Sequence, residues 1–235
     1  MKLDILATLN AEREARRAAI VITDITSGKQ RLVKAADIGK DPLRSELAEH
    51  LRTGKSGMED TAEGRAFLTV YVPAPQLVIT GAVHISQALA PIGKLLGYDV
   101  TIVDPRTAFA SPERFPDVKV VAEWPDQALP PLNVDRYTAF VALTHDPKID
   151  DPALTHALKR DCFYIGALGS RKTHARRIER LKQQGPTDAD LSRIHAPIGL
   201  DIGAVSPAEI AVAIMAQITE RLREETEPVA VRAAS

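Results

Sequence analysis

Apolar positions along the chain fall into two regimes that meet at Pro73-Ala74-Pro75. In the first, Leu3, Ile5, Leu6 and Leu9 precede a charged run at 12–17, predicting an amphipathic helix whose apolar stripe stops where the charges begin. Residues 19–26 are rich in Ile, Val and Thr, Ser27-Gly28 supplies turn chemistry, and 30–33 return as a partner strand, so a hairpin follows. Asp41-Pro42 reads as an N-cap with proline at the first helical position, opening a helix through Leu43, Leu47 and Leu51 that ends near Gly54. Residues 55–64 read as loop and 65–71 as one more strand. These elements predict a small α+β domain over residues 1–72.

Beyond Pro75 the pattern changes in kind. Residues 77–80 form a short, continuous apolar run, ended by Gly81 and followed by a helical pattern through Ile85, Leu89, Ile92 and Leu96. Gly97 stops that helix, and 100–103 is a second strand of the buried type. Further strands are expected at 118–121, 139–143 and 163–165, and further helices at 152–160, 173–184 and 207–223. Short apolar strands alternating with helices predict an α/β domain, a Rossmann-type doubly wound parallel sheet over residues 73–223. Residues 224–235, with Pro228 and a run of small side chains, read as a flexible tail.

Composition narrows the functions open to such a chain. Its 235 residues carry a net charge of −1 and 4% aromatics, which supplies neither a broad phosphate-binding surface nor platforms for base stacking, so no nucleic-acid partner is expected. A single cysteine, Cys162, makes no intramolecular disulfide, and nothing demands an oxidising compartment. Beside buried residues it reads as packing and not as a nucleophile. No apolar stretch approaches the roughly 20 residues of a membrane span, and the expected location is the cytoplasm.

Candidate chemistry clusters where strands give way to helices, the edge at which open α/β sheets bind ligands. Gly81-Ala82-Val83-His84 occupies the first such turn, where a dinucleotide site wants a second glycine so that a pyrophosphate can approach the backbone. Val83 stands at that position, and its branched side chain disfavours conventional NAD(P) binding. His84 either caps the turn, contacts a ligand or fills space. Asp104-Pro105-Arg106 ends the second strand, with Asp104 at the separation of roughly 20 residues at which a carboxylate reaches a ribose diol, and Arg106 placed for a phosphate.

Thr144-His145-Asp146 follows the run 139–143 and suits hydrogen bonding to a polar ligand or proton transfer, or else an Asx turn in which Asp146 caps the next segment. Gly166-Ala167-Leu168-Gly169-Ser170-Arg171-Lys172-Thr173 combines glycines, hydroxyls and cations at a helix start, a candidate anion cradle that lacks P-loop spacing. Ser170 is the expected N-cap, with Arg176 and Arg177 on a solvated face. Pro197-Ile198-Gly199-Leu200-Asp201-Ile202-Gly203-Ala204 leads to Ser206-Pro207-Ala208-Glu209, a capping box opening a buried helix.

Taken in order, the motifs Val78–His84, Val103–Arg106, Thr144–Asp146, Gly166–Arg171 and Pro197–Ala204 resemble those of the XdhC/CoxF family, accessory proteins of molybdenum hydroxylases such as xanthine dehydrogenase and carbon monoxide dehydrogenase. The resemblance implies a maturation factor, non-catalytic or weakly catalytic, that holds the molybdenum cofactor, in a dinucleotide form or otherwise, or FAD, and assists its modification or insertion. Gly81, Ala82, Val83, His84, Asp104, Arg106, Thr144, His145, Asp146, Gly169, Ser170 and Arg171 would line that site, with Asp104 on a ribose or pterin hydroxyl and Arg171 on phosphate. Implied partners are the apo-hydroxylase and other maturation factors, and a homodimer is compatible with the reading. Two departures stand out. The family's first turn usually reads Gly-Ala-Gly-His, and the Gly-Ser and Gly-Gly-Cys motifs of longer members do not occur before Pro73, as in the short members that accompany carbon monoxide dehydrogenase-type enzymes. An NAD(P)-dependent oxidoreductase, with His145 as proton donor in the same cleft, is the alternative.

Overall fold

The computed structural model describes residues 2–62 and 64–224, and the chain divides into two compact units at Pro73 and Ala74. The first is built on a four-stranded sheet. Its elements are α1 (Leu3–Glu14), β1 (Ala19–Asp24), β2 (Gln30–Lys34), a 3-10 turn at Ala35–Lys40, α2 (Arg44–Thr53), β3 (Gly57–Thr61) and β4 (Gly64–Tyr71). The strands run antiparallel in the order β2-β1-β4-β3. Central strand β1 is buried on both faces: Ala19 and Val21 pack with Ile5 and Leu9 of α1, while Ile20 and Ile22 pack with Leu47 of α2.

Two local expectations change here. Residues 55–64 are not simply loop, because 57–61 form the edge strand β3, pairing Met58 with Phe67 and Glu59 with Ala66. That strand carries almost no apolar residues, so its ladder is visible in backbone pairing and not in side-chain alternation. Helix α2 starts at Arg44, and Asp41 accepts the Leu43 N–H at 3.0 Å while pairing with Arg31, one turn before the helix proper.

The second unit contains β5 (Gln76–Thr80), α3 (His84–Leu95), β6 (Asp99–Val103), β7 (Lys119–Val121), α4 (Pro125–Ala128), β8 (Thr138–Ala142), α5 (Pro147–Leu158), β9 (Tyr164–Ala167), α6 (Arg171–Lys182), α7 (Asp188–Leu191), β10 (Ile194–His195) and α8 (Pro207–Arg223). Its six strands are all parallel, in the order β10-β9-β8-β5-β6-β7. Counted along this unit, that is the 3-2-1-4-5-6 order of a Rossmann fold. Buried side chains alternate between its faces: Leu77, Ile79, Val100 and Ile102 pack with α3 and α8, while Val78, Phe140, Ala142 and Ile165 pack with α5 and α6. Sequential apolar residues with no polar face are what a sheet covered on both sides requires.

Helix α5 begins at Pro147 and not at 152, because Asp146 caps it by accepting the Lys148 N–H at 2.9 Å. Ser206 and Glu209 form the expected capping box at α8, with Glu209 accepting the Ser206 N–H at 2.8 Å and Ser206 Oγ accepting the Glu209 N–H at 3.2 Å. Among the described residues, no helix is long and apolar enough to cross a membrane. Apart from Glu224, the tail expected at 224–235 lies outside the described residues.

Candidate functional site

Strands β5 and β8 are neighbours, yet the helices that follow them lie on opposite faces of the sheet, so a crevice opens at their carboxyl ends. Gly81 closes the floor of that crevice. It has φ +109°, and a Cβ there would stand 2.8 Å from Thr144 Cγ2 and 3.2 Å from Thr144 N, so only glycine lets the two turns touch. Ala82 is fully buried. Val83 occupies the N-cap of α3 in extended conformation and packs its half-buried side chain against the core. The polar capping is done from inside the helix: Ser86 Oγ donates to the Gly81 carbonyl and accepts the Val83 N–H at 3.4 Å. His84, the first residue of α3, is exposed.

Position along the sequence gave Asp104 and Arg106 separate ligand groups, and the structure pairs them with each other. The wholly buried Asp104 carboxylate accepts the Ala82 N–H at 2.7 Å, the Arg106 N–H at 3.0 Å and a bidentate guanidinium contact from Arg106 at 2.9 and 2.7 Å. Burial pushes its pKa up, but the guanidinium and the two amides outweigh that and hold the carboxyl below its usual range. Arg106 in turn lies 4.7 Å over the Phe109 ring.

At the end of β8, a residue that sequence reasoning missed organises the turn. Asp150, in the first turn of α5, accepts the Thr144 hydroxyl at 2.7 Å and the Thr144 and His145 N–H groups at 3.3 and 3.0 Å. Thr144 Oγ1 then accepts the Asp146 N–H at 3.0 Å. Thr144 and Asp146 are thus tied into the turn, while His145, at φ +62°, presents an exposed imidazole.

The turn after β9 brings α6 alongside. Gly169 has φ +134°, and a Cβ there would lie 3.1 Å from Thr173 Cγ2, so its bareness lets the turn fold tightly onto the start of α6. Ser170 caps α6, accepting the Thr173 N–H at 3.2 Å, and Arg171 is exposed. Arg177 corrects the expectation of a solvated basic face. Its side chain is 2% exposed, donates from Nη2 to the Leu168 carbonyl at 2.8 Å, and stands 3.9 Å from Asp150. Arg180 makes a bidentate pair with Asp151 at 2.6 and 3.0 Å. Between the start of α5 and this face of α6 lies a cleft of about 340 Å³.

The remaining candidates are more distant from these turns in role. Asp201 is exposed, in a loop entered through a cis Ala196-Pro197 bond and held by Gln217, which accepts the Gly199 N–H at 2.9 Å. Cys162 is buried, and burial pushes its thiol up to about 12, consistent with packing and not with nucleophilic chemistry.

The strand order, with three turns at its carboxyl edge, defines a Rossmann-type domain. Residues 77–218 match the XdhC Rossmann domain, and the chain belongs to the XdhC family. It is 31% identical over 156 residues to "Uncharacterized protein YqeB" of Escherichia coli, covering 66% of this chain and 28% of that protein. To a probable xanthine dehydrogenase subunit of Bacillus subtilis it is 30% identical, over 66% of this chain and 45% of the relative. To "Molybdenum cofactor insertion chaperone PaoD" of E. coli it is 30% identical, over 65% of this chain and 42% of the relative. The matched segment therefore spans less than half of each of these proteins. The crystal structure of a xanthine dehydrogenase from Bacillus halodurans superposes with a TM-score of 0.67 at 22% identity, covering 93% of this chain and 66% of that one, a likeness of fold.

Proposed function

We propose that this chain is a maturation factor for a molybdenum hydroxylase, binding the molybdenum cofactor at the carboxyl edge of its parallel sheet and assisting its modification or insertion. Two observations carry this together: the alignment with a molybdenum cofactor insertion chaperone over 65% of this chain, and the match of residues 77–218, which build the edge, to the XdhC Rossmann domain. The donors there fit an anionic, heteroatom-rich cofactor: a cleft faced by His145, Lys172, Thr173 and Arg176, beside the N-terminus of α6. Among the described residues, no group of three His, Cys, Asp or Glu could hold a metal ion, so the metal would be held through its organic ligand. When bound, the cofactor supplies the metal centre that the target enzyme uses. The chain's own residues bind and orient it: Gly81 lets the β5 and β8 turns touch, Gly169 folds the β9 turn onto α6, Asp150 fixes the β8 turn, and His145 offers its ring to the ligand.

A dinucleotide form of the cofactor, or FAD, would extend along the same edge past His84 and Arg171. An NAD(P)-dependent oxidoreductase is less well supported, because a ribose diol would have to displace Arg106 from a carboxylate whose two oxygens already accept four hydrogen bonds. The test incubates the full chain with extracted molybdenum cofactor, with FAD and with NADPH, measuring retention on gel filtration and transfer to an apo-hydroxylase. Retention of the pterin and activation of the apo-enzyme are expected. Binding of NADPH alone, with hydride transfer to a carbonyl substrate, would overturn the reading.

A further inference from the structure

We propose that the cleft between α5 and α6 is a phosphate subsite, with Arg177 as its buried donor and Lys172 and Arg176 at its mouth. Arg177 has unfilled bonding capacity. It is 2% exposed and lines the cleft, yet its Nε and Nη1 have no hydrogen-bond partner. Buried polar groups in folded proteins are almost always bonded, and a guanidinium carries five donors in a fork that matches the oxygens of a phosphate. Its one internal hydrogen bond goes to the Leu168 carbonyl.

The neighbouring acid does not complete it. Asp150 lies 3.9 Å away, and its oxygens are committed to Thr144 and His145. Burial raises the Asp150 pKa and lowers that of Arg177, so neither charge is well compensated by the other. Arg180 is occupied by Asp151, which leaves Lys172 and Arg176, both exposed, to face an incoming anion. The N-terminus of a twelve-residue helix adds the remaining attraction at the same place. The ligand class that satisfies all of these is a phosphate monoester or pyrophosphate, small enough for a cleft of about 340 Å³.

This deepens the maturation reading, in which the anion is the phosphate of the molybdenum cofactor, but its test does not depend on that cofactor. The full chain is titrated with inorganic phosphate, pyrophosphate and phenyl phosphate while the arginine Nε–H resonances are followed by NMR. The Arg177 Nε–H signal should move on saturation. The double variant Lys172→Glu/Arg176→Glu, which changes exposed residues only, should weaken binding at least tenfold, and Arg177→Met should abolish it; Lys159→Ala should bind as the parent does. Preference for phenyl phosphate over inorganic phosphate identifies an ester site, and the reverse a free-phosphate site. Equal binding by parent and double variant, or an unmoved Arg177 signal, would overturn the subsite. If pyrophosphate binds through Arg177 but the molybdenum cofactor does not bind at all, the subsite stands and the maturation reading fails. If the cofactor binds equally to the parent and the Arg177→Met chain and pyrophosphate binds neither, the maturation reading stands and the subsite fails.

Discussion

Two helices of equal length, α3 and α6, begin at the same edge of the same parallel sheet, and the side chains around their starts balance charge in opposite ways. At α3, the place where a Rossmann fold ordinarily receives a pyrophosphate, the protein supplies its own anion: the Asp104 carboxylate takes the Ala82 N–H and is sealed by Arg106, while Ser86 and Val83 close the first turn. At α6 the balance is reversed, with cations gathered around a cleft and a buried guanidinium left short of acceptors. The fold places a helix terminus after β5, β8 and β9, and the side chains decide how each is satisfied. In this chain the unmet donors lie on α6, after β9, in the side chain of Arg177.

The largest expected effect that sharpens this contrast comes from Arg177→Met. It takes the donor from the buried Leu168 carbonyl and the nearest cation from Asp150, a combined loss of about 3 kcal/mol. Urea unfolding should show that loss, and added pyrophosphate, which stabilises the parent, should no longer raise the midpoint. Next is Gly81→Ala, which forces a side chain into Thr144 at positive φ, for about 2–3 kcal/mol and a fall in Tm of roughly 5–10 °C by calorimetry. A third change removes the obstruction at α3. Val83→Gly should cost about 1 kcal/mol in lost packing and helix-start order, and leave phosphate affinity unchanged, because Asp104 already fills that terminus. A gain in pyrophosphate affinity would mean that α3, and not α6, is the receiving helix.

The smallest effect concerns the N-terminal unit, far from this chemistry in sequence. Glu12 is buried and bonded to Arg17 at 2.6 Å and Lys34 at 3.1 Å, and the Arg17 hydrogen bond leads in lowering its pKa from 4.5 to about 2. A depressed folded-state pKa stabilises above the unfolded value and is lost as pH falls through the folded one. The stability of the Glu12→Gln chain should therefore be lower than that of the parent at pH 7, and the difference should vanish between pH 4.5 and 2.

The architecture was readable because its decisive strands are continuous apolar runs: 77–80, 100–103 and 139–143 have no polar face to confuse with loop. Strand β3 was not readable, since Glu59 and Asp60 break any apolar alternation and the edge is held by its backbone ladder and by polar pairs such as Glu59 with His50 at 2.8 Å. The turns carrying Gly81, Thr144 and Ser170 were placed correctly at strand ends, yet their partners were not, because Asp104 with Arg106 and Asp150 with Thr144 are choices made by three-dimensional proximity. Arg177 was misread for a different reason. Arg171, Lys172, Arg176 and Arg180 surround it with charge, and the helix looks solvated. One cue was present: His174, Arg177, Ile178 and Leu181 follow the spacing of an inward stripe, with Leu181 in the core, which places Arg177 on the buried side.

The central claim, that phosphate is received at α6 and not at α3, is tested most directly by a crystal structure of the full chain with pyrophosphate. Density is expected in the cleft between α5 and α6, within hydrogen-bonding distance of Arg177 and flanked by Lys172 and Arg176. Density against the Ala82–His84 backbone at the start of α3, with the α5–α6 cleft holding water, would contradict it.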